Sequence, residues 1–373
     1  VSEALSERPN PYRALVEKAF AEAIPLSCQF EITYRCNHLC TFCYNAPDGS
    51  PELSTPKIFE ALRKISDFGV LYLTLTGGEP LCHRDFFKIA KEARRLGMAL
   101  RIYTNGYLLA NPETARRVAE LNPMEVEISI HGARSETHEA LTKIKGSFAK
   151  TVEGVRNLRN LGIKVQLKTP ITRLNQGELF GIRDLADSLG CYVIFDAVIT
   201  PKDDGNLDPL ALRPDDEFLK KYWSEYYLEL HRGKLPPRAN HCASERVEAN
   251  CGTGRSGFTL DPYGNIYPCV AFRRKVANIL EIESLEEIWG SSPVLREVRD
   301  LAVEARRRLN GHENGPYFQF CLGVAEKQTG DPLGIYPQAD INARAVRRAY
   351  ELLQIGQPGG KVPVARTGPA TYK

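Results

Sequence analysis

Strand-like and helix-like segments alternate along the first two hundred residues, and few folds can accommodate that pattern. Apolar runs rich in β-branched and aromatic residues lie at 28–33, 71–75, 99–103, 125–130, 164–169 and 192–198. Amphipathic segments fill the gaps. The clearest is LSTPKIFEALRKISDFG, where Ser54 or Thr55 caps the start, Pro56 suits the first turn and Gly69 ends the helix. DFFKIAKEARRLG and SFAKTVEGVRNLRNLG also end on glycine. Strands separated by helices run parallel. Six such units predict an α/β fold, a partial (β/α)6 TIM-like barrel, with its active site at the C-terminal ends of the strands.

The unusual sequences fall at those ends. Cys36, Cys40 and Cys43 follow the first strand as C-x3-C-x2-C, and TGGEP (Thr76 to Pro80) follows the second. TNG begins at Thr104, SIHG at Ser129, and KTPIT and DAVIT end the fifth and sixth units. His131 and His138 read as a loop residue and a helix-surface residue. Cys28 and Cys191 fall on the strand-like runs and read as core thiols.

Length and composition narrow the class. The chain has 373 residues, enough for a large domain and a smaller one, with 43% hydrophobic and 25% charged residues. The net charge of +3 is too small to argue for nucleic acid. No apolar run reaches the ~18 residues of a membrane span. The opening VSEALSERPNPYRALVEKAF lacks the apolar core of a secretion signal. A cytosolic location is therefore expected, and there ten cysteines suit metal or redox chemistry better than disulfides.

Three cysteines in a short loop could hold a structural zinc ion or an electron-transfer cluster. They can also hold a [4Fe–4S] cluster with one iron left open, shielded by Tyr34, Phe42 and Tyr44. The order and spacing of C-x3-C-x2-C and GGEP, with an aromatic before the third cysteine, resemble the radical S-adenosylmethionine (SAM) superfamily. The resemblance implies that Cys36, Cys40 and Cys43 hold a cluster whose open iron binds SAM. It also implies reductive cleavage of SAM to a 5′-deoxyadenosyl radical, which abstracts hydrogen from a substrate.

The same resemblance suggests a SAM pocket. The backbone of Gly77, Gly78 and Pro80, with the Glu79 side chain, would receive the amino group. Thr104 and Asn105 would contact the methionine moiety or the cluster, and Ser129 the ribose. Lys168 and Asn175 bracket the region for ribose, carboxylate or adenine. For a residue that exchanges a proton or hydrogen atom, the candidates are Cys82 and Asp196.

Beyond the barrel, Cys251 and Cys269 flank Gly264 in a pattern that resembles the opening of the SPASM and twitch extensions, which bind auxiliary clusters. The dense cysteine block of a full SPASM domain is missing after Cys269, where only Cys321 remains. One auxiliary [4Fe–4S] cluster on Cys242, Cys251, Cys269 and Cys321 is expected, with a zinc site on the same thiolates as the alternative. Asp261 to Asn265 reads as a hairpin turn. The expected organisation is a lead-in helix at 1–25, the barrel at 26–204, a helical linker at 205–240, a smaller SPASM/twitch-like iron–sulfur domain at 241–330, and a C-terminal helix with a flexible tail at 331–373. Helical stretches are expected near 216–231 and 284–309.

Many proteins with such extensions modify ribosomally made peptides by crosslinking, oxidation or epimerisation, which is the leading expectation. A small-molecule substrate, such as a tetrapyrrole, sugar or cofactor precursor, is the alternative, and a non-catalytic electron carrier is the remote one. Sulfatase-maturing members carry an aspartate directly after the cysteine equivalent to Cys269, and this chain has Val270. Only 35 residues precede Cys36, so a peptide is expected to need a separate recognition protein or direct docking. A reduced ferredoxin or flavodoxin is the expected electron donor.

Overall fold

The computed structural model describes residues 11–237 and 247–355, with the backbone alone at 242–243 and 354–355. The chain runs α1 (Pro11–Ala21), β1 (Ser27–Thr33), α2 (Thr55–Asp67), β2 (Tyr72–Gly77), α3 (Phe86–Arg95), β3 (Ala99–Thr104), α4 (Pro112–Glu120) and β4 (Glu125–Ser129). It continues with α5 (Ser135–Thr142), α6 (Ser147–Asn160), β5 (Val165–Pro170), α7 (Leu179–Ser188), β6 (Tyr192–Asp196), α8 (Asp216–Lys221) and α9 (Tyr227–Leu230). The C-terminal region holds β7 (Cys242–Ala243), β8 (Glu248–Ala249), β9 (Gly257–Leu260), β10 (Asn265–Tyr267) and β11 (Ala277–Asn278). It ends with α10 (Leu285–Ser291), α11 (Pro293–Asn310), α12 (Leu322–Thr329) and α13 (Pro337–Ile355).

The six expected strands form one parallel series, β1 to β6 in sequence order. The C-terminal region extends the same sheet: β9 pairs parallel to β1, and the antiparallel β10 and β11 continue outward. The Asp261 turn makes the β9–β10 hairpin, its carboxylate accepting from the amides of Tyr263 and Asn265.

Register divides the sheet into two faces, because side chains alternate along a strand. Phe30, Leu75, Ile102 and Val126 lie side by side on one face, all buried. Helices cover that face with Ile58, Leu62, Ile65, Ile89 and Val118, also buried. The other face carries Glu31, Thr76, Tyr103, Glu127, Gln166 and Tyr192. The barrel is thus oily outside, where helices pack, and polar inside.

Two helical expectations are refined. The 216–231 stretch is helical but contains a π-helical turn at Tyr222–Tyr226. The 284–309 stretch is two helices, because Ser292 takes an extended ψ of 123° before Pro293 and caps α11 through its hydroxyl. The expected flexible tail lies outside the described residues. Among the described residues, no helix is long and apolar enough to cross a membrane.

Leu75 sits in the middle of the sheet at 0% exposure. Leu75→Ala should cost about 2–5 kcal/mol by leaving a cavity there. A denaturant midpoint lowered to that extent, with an unchanged slope, is the expected result.

Candidate functional site

The three cysteines sit on a segment that leaves β1 without regular structure and is tied to the ends of β1 and β2, to the end of α5 and to the loop after β6. Glu52 anchors its start, accepting the Thr33 hydroxyl at 2.8 Å and the Tyr34 amide at 2.6 Å. The amides of Leu39 and Thr41 donate to the carbonyls of Thr142 and Leu141, at 2.9 and 3.0 Å. Asn45 Nδ2 donates to Gly77 O at 3.1 Å, and the Asp203 amide donates to Tyr44 O at 2.8 Å. Phe42 packs edge-on against His131, and His38 against Tyr107.

Cys36 is exposed, while Cys40 and Cys43 are half-buried. Burial pushes the Cys36 thiol up to about 11, and the nearby Glu79, Cys43 and Cys82 push the same way. Burial likewise raises Cys40, with Cys43 and Cys36 adding to it. Three thiols crowded in this way stay protonated without a cation and are suited to release their protons to a metal. Both ring nitrogens of His38, Asn37 Nδ2 and Asn45 Oδ1 are buried with no hydrogen-bond partner. Unpaired polar groups around three thiols fit a bound polar group at this position. Among the described residues, no three His, Cys, Asp or Glu side chains close around a single ion position.

Gly77 and Gly78 lie directly against residues 33–35. The Gly78 amide donates to Thr33 O at 2.7 Å, and the Glu79 amide to Arg35 O at 2.9 Å. A Cβ at Gly78 would stand 2.5 Å from Tyr34 O, and one at Gly77 would collide with Thr33 O. Gly77 also has a φ of +140°. Only glycine fits either position.

Glu79 corrects an expectation. Its carboxylate does not face the mouth but is fully buried. Oε1 accepts from the Thr104 hydroxyl at 2.7 Å and the Leu81 amide at 3.1 Å, and Oε2 accepts from the Asn105 amide at 2.7 Å. Burial pushes its pKa up to about 7 against the pull of these three bonds. The side chain laces the β2 loop to the β3 loop.

Thr104 and Asn105 come together with the cysteine loop, since Asn105 Nδ2 donates to Asn37 Oδ1 at 2.7 Å and approaches Cys36 Sγ at 4.0 Å. Ser129 stands beside Lys168 across β4 and β5. Lys168 Nζ pairs with Asp196 Oδ2 at 3.3 Å, at the mouth. Cys82 is half-buried in the turn after Pro80 and shifted up by burial, then by Glu79.

Asn175 does not join the site. It is fully buried, its Nδ2 donating to His131 O and Pro170 O and its Oδ1 accepting from the Thr172 amide. It staples the turn after β5. His131 lies in a loop as expected, but His138 is not on the helix surface; the two are 3% and 0% exposed. They stack on each other, and the His131 amide donates to His138 Nδ1 at 3.1 Å. A helix of eight residues gave no periodic signal that would place His138 inward.

The second cysteine set assembles from distant segments. Asn250 Nδ2 donates to Phe320 O at 2.8 Å, which joins the segments that carry Cys251 and Cys321. Gly323 lies so close to Ala271 that a Cβ there would strike the Ala271 carbonyl. This draws Cys321 toward Cys269, and burial, then Cys269, pushes the Cys321 thiol up to about 11. Asn250 Oδ1 and Thr253 Oγ1 are buried without partners beside these thiols. The set therefore also fits a bound group. The Cys242 backbone pairs with Ala249, but its side chain lies outside the described residues.

Sequence reading missed the link between the two sets. Arg273 Nη2 reaches Glu31 Oε1 at 2.7 Å and Asp203 Oδ2 at 3.0 Å, and Lys327 Nζ reaches Asp203 Oδ1 at 2.6 Å. Tyr34 donates to Glu31 Oε2 at 3.0 Å. The only sequence signal was the position of Arg273 four residues after Cys269 and of Lys327 six after Cys321.

Comparison with known proteins places this geometry. The sequence pattern of the Radical SAM superfamily matches residues 30–177, and that of SPASM, an iron-sulfur cluster-binding domain, matches residues 251–321. Pre-heme d1 synthase of Dinoroseobacter shibae is 37% identical over 361 residues, spanning 87% of this chain and 88% of its own. Mycofactocin maturase MftC of Mycobacterium ulcerans is 27% identical over 325 residues, spanning 83% and 86%. The solved structure of anSMEcpe with bound AdoMet and Kp18Cys peptide superposes with a TM-score of 0.67 at 15% identity, spanning 89% and 99%. That last likeness is one of fold.

Two predictions come from this geometry. Gly78→Ala forces the loop off residues 34–35 and should abolish SAM binding by equilibrium dialysis while leaving the fold intact by circular dichroism. Burial holds His138 down at about 3, below the ~6.5 of an unfolded histidine. As pH falls below ~6.5, the unfolded chain takes up a proton that the folded chain refuses, so stability falls. From pH 7 to 5.5 the loss should be roughly 1 kcal/mol for this histidine. Unfolding midpoints at the two pH values should show it, and His138→Gln should flatten the dependence.

Proposed function

This chain belongs to the radical SAM superfamily and carries a SPASM iron–sulfur domain, and from that premise we propose that its substrate is a ribosomally made peptide. It is an enzyme. Cys36, Cys40 and Cys43 would hold the SAM-binding [4Fe–4S] cluster, and Cys251, Cys269 and Cys321 with Cys242 an auxiliary one. When bound and reduced, the cluster and SAM supply a 5′-deoxyadenosyl radical that takes hydrogen from the substrate.

The protein's part is positioning and exclusion of water. The backbone of Gly77, Gly78 and Pro80 would receive the SAM amino group, with Thr104 and Asn105 beside the cysteine loop and Ser129 at the ribose. Lys168 would face the SAM carboxylate or ribose, held by Asp196. Asp196 Oδ2 can take a proton from the substrate at the mouth, where its side chain is 43% exposed. Cys82, near Cys36, is the other candidate for that task. A reduced ferredoxin or flavodoxin would supply the electron, in the cytosol.

The observation that carries the peptide reading is the charge of the barrel interior. Glu127 and Asp196 stand on the inner face and at the mouth with the buried Glu31 and with Asp203 behind them, Lys168, Arg273 and Lys327 are paired to three of these acids, and Arg101 on the same face packs over the Tyr72 ring. A neutral or basic peptide suits such a surface, whereas a tetrapyrrole with several carboxylates would need free cations. The second reading, a tetrapyrrole substrate, is favoured by the 37% identity to pre-heme d1 synthase over nearly the whole chain.

The test uses anaerobically reconstituted enzyme with SAM and reductant. It is incubated with peptides encoded beside the gene or, separately, with an iron porphyrin carrying free propionates. A peptide mass change matched by 5′-deoxyadenosine is the expected result. A shifted porphyrin absorption band with substrate-dependent 5′-deoxyadenosine, and unchanged peptides, would overturn it in favour of the second reading.

A further inference from the structure

The most exposed large apolar side chain among the described residues is Leu39, at 70%. It sits between Cys36 and Cys40. Its amide is fixed to Thr142 O, so the side chain is held in place rather than dangling. The residue after Thr142 is Lys143, exposed and in the left-handed region with a φ of 60°. Lys145 is exposed two residues on. Lys150 Nζ lies 4.4 Å from the centre of the Tyr107 ring, and Tyr107 packs on His38, the neighbour of Leu39.

None of these three lysines has an ion-pair partner among the described residues. Glu153, the acid on the same helix as Lys150, is engaged by Arg156 at 3.6 Å. Cys36, three residues from Leu39, is the exposed member of its set, and Arg35 beside it is 59% exposed. The result is an apolar centre with a basic rim beside the cysteine loop. Small faces of this composition suit brief encounters steered by charge.

We propose that Leu39, Lys143, Lys145 and Lys150 form the docking face for an acidic one-electron carrier protein, which reduces the cluster on Cys36, Cys40 and Cys43 directly. The proposal rests on the radical SAM reading, in which that cluster must be reduced from outside. It places electron entry at the three-cysteine loop and not at the second cysteine set. The match is one of charge and shape: an acidic carrier brings the opposite sign to three free lysines, and Leu39 anchors the centre.

The experiment uses the cluster-loaded enzyme and an FMN-containing bacterial flavodoxin as the probe. Wild type is compared with a Leu39→Ser/Lys143→Glu/Lys150→Glu variant, and with Lys150→Glu alone, which leaves the cysteine loop untouched. Binding is read by calorimetry at low and high salt. Formation of 5′-deoxyadenosine is driven by reduced flavodoxin and, separately, by dithionite. The expected result is flavodoxin binding that weakens with salt, and about tenfold weaker binding in the triple variant. Flavodoxin-driven turnover should fall with it, dithionite-driven turnover should hold, and Lys150→Glu should show a smaller change in the same direction. Equal flavodoxin affinity in wild type and both variants, or no binding by wild type, overturns the docking face. Absence of dithionite-driven cleavage in wild type sinks the radical SAM reading instead, and the binding comparison still decides the surface.

Discussion

The site depends on the close passage of two backbones, residues 33–35 after β1 and residues 77–79 after β2. Bonds of 2.7 and 2.9 Å join them, and the missing side chains of Gly77 and Gly78 make the approach possible. Glu79 then fixes the third loop by accepting from Thr104 and Asn105. A buried carboxylate is costly unless it is well paired, and here three donors supply that pairing. Cysteine loop, glycine turn and β3 loop therefore move as one body, which is what a cofactor spanning all three requires.

A second constraint ties the barrel to the C-terminal region. β9 joins the sheet beside β1, and the Arg273–Glu31–Asp203–Lys327 ion group lies between the two cysteine sets. Removing one member would leave an unpaired buried charge, a change of several kcal/mol. The two sets are thus held at fixed separation by the sheet and by this group together.

Much of this was legible in the sequence, and the part that was not has a common cause. Strands, their order and the clustering of odd motifs at their C-terminal ends followed from period and punctuation, because those are local. The direction in which a side chain points inside a loop is not local. The resemblance assigns Glu79 and Asn175 as ligand contacts, yet Glu79 accepts from the Thr104 hydroxyl and the Leu81 and Asn105 amides, and Asn175 bonds the Thr172 amide and the His131 and Pro170 carbonyls. His138 reads as helix surface, yet it is buried and stacked on His131. The pairing of β9 with β1 spans more than two hundred residues and leaves no trace in either strand's pattern.

The central claim is that the three cysteines after β1 hold a cluster open to SAM, separate from a second site in the C-terminal region. The direct measurement is to reconstitute wild type and a Cys36/Cys40/Cys43→Ala variant without oxygen, count iron and sulfide, and assay 5′-deoxyadenosine with dithionite and SAM. The account predicts about two [4Fe–4S] clusters in wild type, about one in the variant, and SAM cleavage by wild type alone. Equal iron in both proteins, or SAM cleavage that survives in the variant, would contradict it.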